Sequence, residues 1–273
     1  MNETIARGYA PVNGLEMYYE IWGEGEPLIL LHGGLGMTGM FGAQLPLLAA
    51  EQRVIAIDLQ AHGRTADIDR PMRAEHLASD IAALIRHLDL GPVRLMGYSM
   101  GGIVALRTAI DYPELVQKLV AVSAAHRHDA WYPEIVASMR EMGAPAAEFL
   151  KESPMYQAYV QVAPRPEDFP RLLDRMGELI RQPYDWSDEI AALQMPVMLV
   201  YGDHDSIPLS TVAEFFELLG GGKEDAGWDR SNMTPHRVAI VPNATHYDVF
   251  DNPALVATVT PFLTETQSAP QLA

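Results

Sequence analysis

Val93-Arg94-Leu95-Met96-Gly97-Tyr98-Ser99-Met100-Gly101-Gly102-Ile103-Val104-Ala105-Leu106 passes from an apolar run, through a turn holding three glycines, into a helix-forming sequence. Gly-x-Ser-x-Gly on a strand-to-helix turn holds its serine in a strained backbone conformation, and the small flanking residues let strand and helix approach closely. Ser99 is therefore the candidate nucleophile.

On either side of this turn the chain alternates short apolar runs with helix-length amphipathic stretches, the pattern of βαβ units around a largely parallel sheet. Strands are expected at Ala6 to Val12, Leu15 to Trp22, Pro27 to Leu31, Arg53 to Asp58, Val93 to Met96, Lys118 to Ser123, Pro196 to Tyr201 and Arg237 to Val241. The first two should pair antiparallel. Runs such as LILL, VIAI, LVAV and VMLV suit strands covered on both faces. Leu77, Ile81, Leu84, Ile85 and Leu88 recur at helical spacing between Ala74 and Leu88, and Gly91-Pro92 stops that helix. The fold class is thus α/β, a mostly parallel sheet flanked by helices.

From His126 to Asp188 the alternation lapses, giving way to Met, Tyr, Trp and Pro with helical pieces at Pro133 to Met142 and Pro170 to Ile180. This predicts a core of residues 1–125 and 189–273, interrupted by a helical insertion, 126–188. Gly220 to Pro235 reads as a long surface loop. If the strands around it are parallel, it lies at the sheet edge away from Ser99.

Composition narrows the function. The 273 residues are 48% hydrophobic and 20% charged, enough to bury a large core. A formal charge of -17 repels phosphate backbones and anionic membranes, which argues against nucleic acid or a membrane surface as partner. No leader-like start and no apolar run long enough to span a membrane is seen, and a cytoplasmic location is expected. The absence of cysteine removes disulfides, thiolate metal sites and a cysteine nucleophile. No metal or cofactor is called for, and a small-molecule substrate is the expected partner. Self-association into a homo-oligomer is compatible with the sequence.

A serine hydroxyl needs a base in hydrogen-bond reach and a third group to orient that base. Of nine histidines, His246 stands apart, because it follows the last strand candidate in the loop PNATH, where strand ends face the ligand crevice. The acid should precede it at the end of an earlier strand, and Asp203 and Asp205, after VMLVY, both qualify by position. Asp251, Asn252 and Pro253 look like a helix start. A developing oxyanion needs preorganised N–H donors. The amide of Met100, first in its helix, is one, and the loop His32-Gly33-Gly34-Leu35-Gly36 should supply the second.

Taken together, these residues resemble the α/β-hydrolase superfamily, from the Leu-His-Gly-Gly strand end to the last helix. The resemblance implies that Asp205 rather than Asp203 is the acid, through the pattern Gly-x-x-Asp, and that Gly34 carries the second oxyanion donor. A serine at the turn argues against epoxide hydrolases and haloalkane dehalogenases, which use aspartate there. Ser-Met-Gly-Gly is similar to esterases, cofactor-free haloperoxidases and carbon-carbon bond hydrolases, although the last typically have Asn where this chain has Tyr98. Asp58 to Thr65 matches the family's Asp-x-Arg-Gly-x-Gly-x-Ser segment in part, with Gln60 and Ala61 replacing Arg and Gly. The insertion occupies the family's cap position. Tyr98, Trp131, Tyr132, Met155, Tyr156 and Tyr159 are candidate substrate contacts, with Met139, Met142, Phe169 and Met176 as further apolar lining. These imply a neutral, apolar ester or lactone as substrate and no cofactor. Peracid chemistry, carbon-carbon cleavage and a small-molecule receptor that retains the serine and histidine are the alternatives.

Overall fold

Strands that are apolar at every position are stable only when both faces are covered, and the sheet of this protein meets that demand. The structure, a computed structural model, describes residues 4–265, so the outermost ends of the predicted core, 1–3 and 266–273, lie outside the described residues. Eight strands form one sheet: β1 (Thr4–Val12), β2 (Leu15–Trp22), β3 (Pro27–Leu31), β4 (Arg53–Ile57), β5 (Val93–Tyr98), β6 (Val116–Val122), β7 (Val197–His204) and β8 (Arg237–Thr245). Their order is β1-β2-β4-β3-β5-β6-β7-β8. β1 pairs antiparallel with β2, and β2 with β4, while β3 to β8 run parallel to one another.

The helices are α1 (Gln44–Leu48), α2 (Ala74–His87), α3 (Met100–Asp111), α4 (Pro133–Arg140), α5 (Ala147–Leu150), α6 (Pro154–Val162), α7 (Phe169–Ile180), α8 (Ser187–Ala191), α9 (Leu209–Leu218) and α10 (Pro253–Thr264). Alternate strand residues feed two cores. Ile29, Leu31 and Leu95 pack with Leu77 and Ile81 of α2, Val104 of α3 and Phe215 of α9. Leu28, Leu30 and Met96 pack on the other face with Leu45 of α1 and Val259 and Phe262 of α10. Burying each such side chain contributes roughly 1.5–3 kcal/mol before entropy is counted, so the two faces together hold the sheet rigid beneath its loops.

Residues 126–188 leave the sheet after β6 and return before β7. An antiparallel stem closes this excursion, with His128 N–H donating to Tyr184 O at 2.8 Å and Trp186 N–H to His126 O at 3.1 Å. A charged latch holds it down. The buried Asp67 carboxylate accepts from Arg171 and from Arg175 of α7, and Arg175 also meets Glu178 at 3.0 Å. Against the effect of its burial, the Gln60 side-chain amide, at 2.7 Å, and those arginines hold the Asp67 carboxyl below its ordinary range.

Most strand ends fall within two residues of the sequence reading, and two strands run further. β7 continues to His204 and β8 to Thr245, so Pro242 to Thr245 are strand and not loop. A register shift between Gly202 and His204 lets them pair on, and Pro242 is tolerated because β8 is the sheet edge. The stretch from Gly220 to Pro235 joins α9 to the N-terminal end of β8, at the sheet edge opposite Ser99, with Trp228 fully exposed.

Candidate active site

Ser99 lies between the last residue of β5 and the first of α3, at φ 52 and ψ -117. A non-glycine residue in that region costs roughly 1–3 kcal/mol, and the surrounding packing holds it there. Glycine is required at its flanks by contact rather than by dihedral. A Cβ on Gly97 would lie 2.1 Å from Gly101 O, and one on Gly101 would lie 2.5 Å from both His32 O and Leu31 O. Leu35 (φ 59), in the loop after β3, and Ser123 (φ 50), just past β6, are likewise strained, so strain gathers beyond three C-terminal strand ends at the same side of the sheet.

The same edge gathers the other candidates. Ser99 Oγ stands 3.1 Å from His246 Nε2, and His246 Nδ1 stands 3.0 Å from Asp205 Oδ1. With Nδ1–H donating to the carboxylate, Nε2 carries a lone pair toward the serine. His246 and Asp205 are both buried. Of the two aspartates left open by position, Asp203 does different work. Its Oδ1 accepts from Ala244 N–H at 3.1 Å and from His204 at 2.9 Å, tying the end of β7 to β8. The His204 bond and the nearby amides draw its pKa down to about 2.

Ser123, which the sequence reading places only at a strand end, is a fourth member of this group. Its hydroxyl donates in a short bond to Asp205 Oδ2, which also accepts from Gly202 N–H at 3.3 Å. Both carboxylate oxygens are thus committed. A β-strand ending in serine carries no local signal for this, because the contact spans 82 residues of sequence.

The loop after β3 is held by two buried histidines. His32 Nε2 accepts from Leu59 N–H at 3.0 Å, and His62 Nε2 accepts from Leu35 N–H at 3.2 Å. Each ring's Nδ1–H donates to a backbone carbonyl, Gly33 O and Gln60 O respectively, at 2.8 Å. Burial lowers their pKa values to about 4 and about 3, so both stay neutral and act as acceptors. Asp58, also buried, receives the amides of Thr38 and Arg64 at 2.7 and 2.8 Å. With Leu35 N–H given to His62 and Gly36 N–H to Gly33 O, the Gly34 amide is the donor left uncommitted among these three. Met100, as the first residue of α3, has no acceptor for its amide within the helix.

A cavity of about 1110 Å³ opens over Ser99 and His246. Tyr98, Trp131 and Met155 line it, as do Met139, Met142 and Met176. Seven methionines in all contribute to the wall, a flexible and polarizable surface. Its charged groups are Arg64, whose guanidinium lies over the Tyr18 ring, and Arg73 and Glu75 at the start of α2. Four of the expected lining residues lie outside it. Tyr156 and Tyr159 turn instead onto Phe169, with ring centroids 4.9 and 5.3 Å apart, and pack α6 against α7. Tyr132 caps α4 with its side chain 40% exposed, outside the cavity, and Phe169 is buried away from it. Tyr98 lines the cavity with its ring, but its hydroxyl donates to His246 O at 2.6 Å.

Known proteins share this architecture. Residues 26–155 match the family described as the α/β hydrolase fold. The dihydrolipoyllysine-residue acetyltransferase component of the acetoin cleaving system of Pseudomonas putida is 40% identical over 126 residues, 44% of this chain and 34% of that protein. Across this and two other curated relatives, the matched stretch spans 34% to 55% of their own length. Pimeloyl-[acyl-carrier protein] methyl ester esterase of Vibrio cholerae is 24% identical over 250 residues, 81% of this chain and 92% of that one. The solved carboxylesterase CesB of Bacillus subtilis superposes with a TM-score of 0.72 at 20% identity, over 97% of this chain and 92% of that one. The sheet order, the serine turn and these likenesses give the chain the α/β-hydrolase fold.

Proposed function

We propose that this protein is a serine hydrolase that cleaves a neutral, largely apolar carboxylic ester or lactone through an acyl-enzyme on Ser99. The observation that carries the reading is the hydrogen-bonded chain from Ser99 Oγ through His246 to Asp205, set at the floor of a methionine-rich cavity. The methyl ester esterase and carboxylesterase among its relatives support the same class.

In this mechanism His246 Nε2 takes the Ser99 hydroxyl proton as Oγ attacks the ester carbonyl carbon. The carbonyl π bond breaks onto oxygen, and the amides of Met100 and Gly34 receive that oxyanion, aided by the positive end of α3. Collapse breaks the bond to the leaving oxygen, which accepts the proton from His246. Water then repeats the sequence on the acyl carbon, with His246 again as base, releasing the acid and restoring Ser99. Asp205 fixes the ring's tautomer and offsets its transient positive charge. Walls that are mostly apolar, with Arg64, Arg73 and Glu75 as their charged groups, favour uncharged acyl or aryl groups at the serine, and seven methionines accommodate varied shapes.

The test is hydrolysis of neutral aryl esters and lactones by the wild type and by Ser99→Ala, with a fluorophosphonate probe and mass spectrometry to locate the label. One label per chain on Ser99 and loss of turnover in the variant are expected. Turnover that survives in Ser99→Ala would refute the assignment, and a probe-labelled protein that turns over no ester or lactone would point to a receptor.

A further inference from the structure

The Tyr98 hydroxyl ties the serine turn to the histidine loop, and we propose that Tyr98 is a positioning residue that sets the approach of His246 to Ser99. The proposal rests on the reading of Ser99 as nucleophile and goes beyond it. Tyr98 ends β5, whereas His246 follows β8, and β6 and β7 lie between those strands in the sheet. The 2.6 Å bond from Tyr98 Oη–H to His246 O therefore couples the two reacting residues directly, without passing through two intervening strands.

Its geometry leaves little freedom. His246 lies just past the end of β8, where the sheet ladder stops. A buried backbone carbonyl must find a donor, and Tyr98 supplies it. The ring is fixed as well. It packs 4.8 Å from Phe250 and 5.5 Å from the His246 ring, centroid to centroid. A Cβ on Gly33 would meet Tyr98 Cε1 at 2.6 Å, so the ring also fills the space beside the loop that carries Gly34. One side chain thus touches all three loops that hold the candidate base, nucleophile and oxyanion donor. Burial, with the charge of Asp205 second, raises the Tyr98 pKa well above its ordinary value, which keeps the hydroxyl a donor at any working pH. The Tyr98 O–H is spent on the backbone, so it has no proton left to donate to substrate.

The experiment compares wild type with Tyr98→Phe, which keeps the ring and removes only the donor. The rate of fluorophosphonate labelling at Ser99 and the kcat for a neutral aryl ester should both fall about tenfold or more, with KM within about twofold. Labelling should still reach one per chain and the melting temperature should change little. Tyr98→Leu, which also vacates the space at Gly33, should lose more. Labelling at the wild-type rate in Tyr98→Phe would overturn the proposal. So would a raised KM with unchanged kcat, which would make the hydroxyl a substrate contact, or a variant that fails to fold, which would make the bond structural. Failure of the wild type itself to label at Ser99 would instead refute the nucleophile assignment.

Discussion

Replacing Asp205 by Asn tests the acid assignment through geometry already fixed around it. Asp205 Oδ2 faces two donors, the Ser123 hydroxyl and Gly202 N–H. A backbone N–H cannot reverse its role, so in Asp205→Asn the oxygen of the new side-chain amide must take that side. Its NH2 is then forced toward His246 Nδ1. Two donors cannot share that contact, and the imidazole must move its proton to Nε2, where it points at Ser99 Oγ and can no longer accept. The variant loses both the productive tautomer and the negative charge that stabilises the imidazolium. The same change in a well-studied serine protease cost about 10⁴-fold in kcat, or about 5 kcal/mol of transition-state stabilisation. A similar loss in kcat/KM on a neutral aryl ester is expected here, with Ser99 still accessible and the fold intact. Asp203→Asn, at a partly exposed site that pins Ala244, should cost less than about tenfold. Equal losses in the two variants, or the greater loss in Asp203→Asn, would refute the argument.

Acidification should destabilise the protein through its buried histidines. Burial holds His32, His62 and His126 neutral, with pKa values of about 4, about 3 and about 4, so below ~6.5 the unfolded chain binds protons that the folded one refuses. Their stabilisation is complete above ~6.5 and is lost as pH falls toward those folded values, which denaturant titrations should show as a falling midpoint. His62→Gln should make that dependence shallower. Asp67→Asn should loosen the insertion by removing the anion between Arg171 and Arg175, at a cost of about 1–3 kcal/mol, read from unfolding curves and from faster amide exchange in α7. An unchanged exchange pattern would show that the apolar face of α7 suffices. Replacing Lys223 to Met233 with a short Gly/Ser linker should leave kcat/KM within about threefold, because no residue of that loop lines the cavity. A tenfold loss would place the loop nearer the chemistry than the sheet topology does.

Local physics makes the frame legible. The unbroken apolar runs at Leu28, Val54 and Val197 name buried parallel strands because nothing else covers them on both faces, and Gly97, Gly101 and Ser99 name the turn because only small residues permit its contacts. Contacts whose partners lie far apart in sequence are not legible. Tyr98 reads as a substrate contact because an aromatic residue beside the serine faces the crevice. Its hydroxyl partner is a backbone carbonyl 148 residues away, set by how β5 and β8 end relative to each other. Ser123 is hidden for the same reason, and Tyr156 and Tyr159 mislead because helical spacing cannot say which side of α6 meets α7 and which meets the cavity. Pro242 hides the continuation of β8, since a proline reads as a break unless the strand is known to be an edge. What the residues state locally is therefore the candidate reacting groups, while the side chains around them are decided by tertiary contacts. It follows that variants at Tyr98 and Ser123, and not at further glycines of the turn, should separate the placing of His246 from the making of the fold.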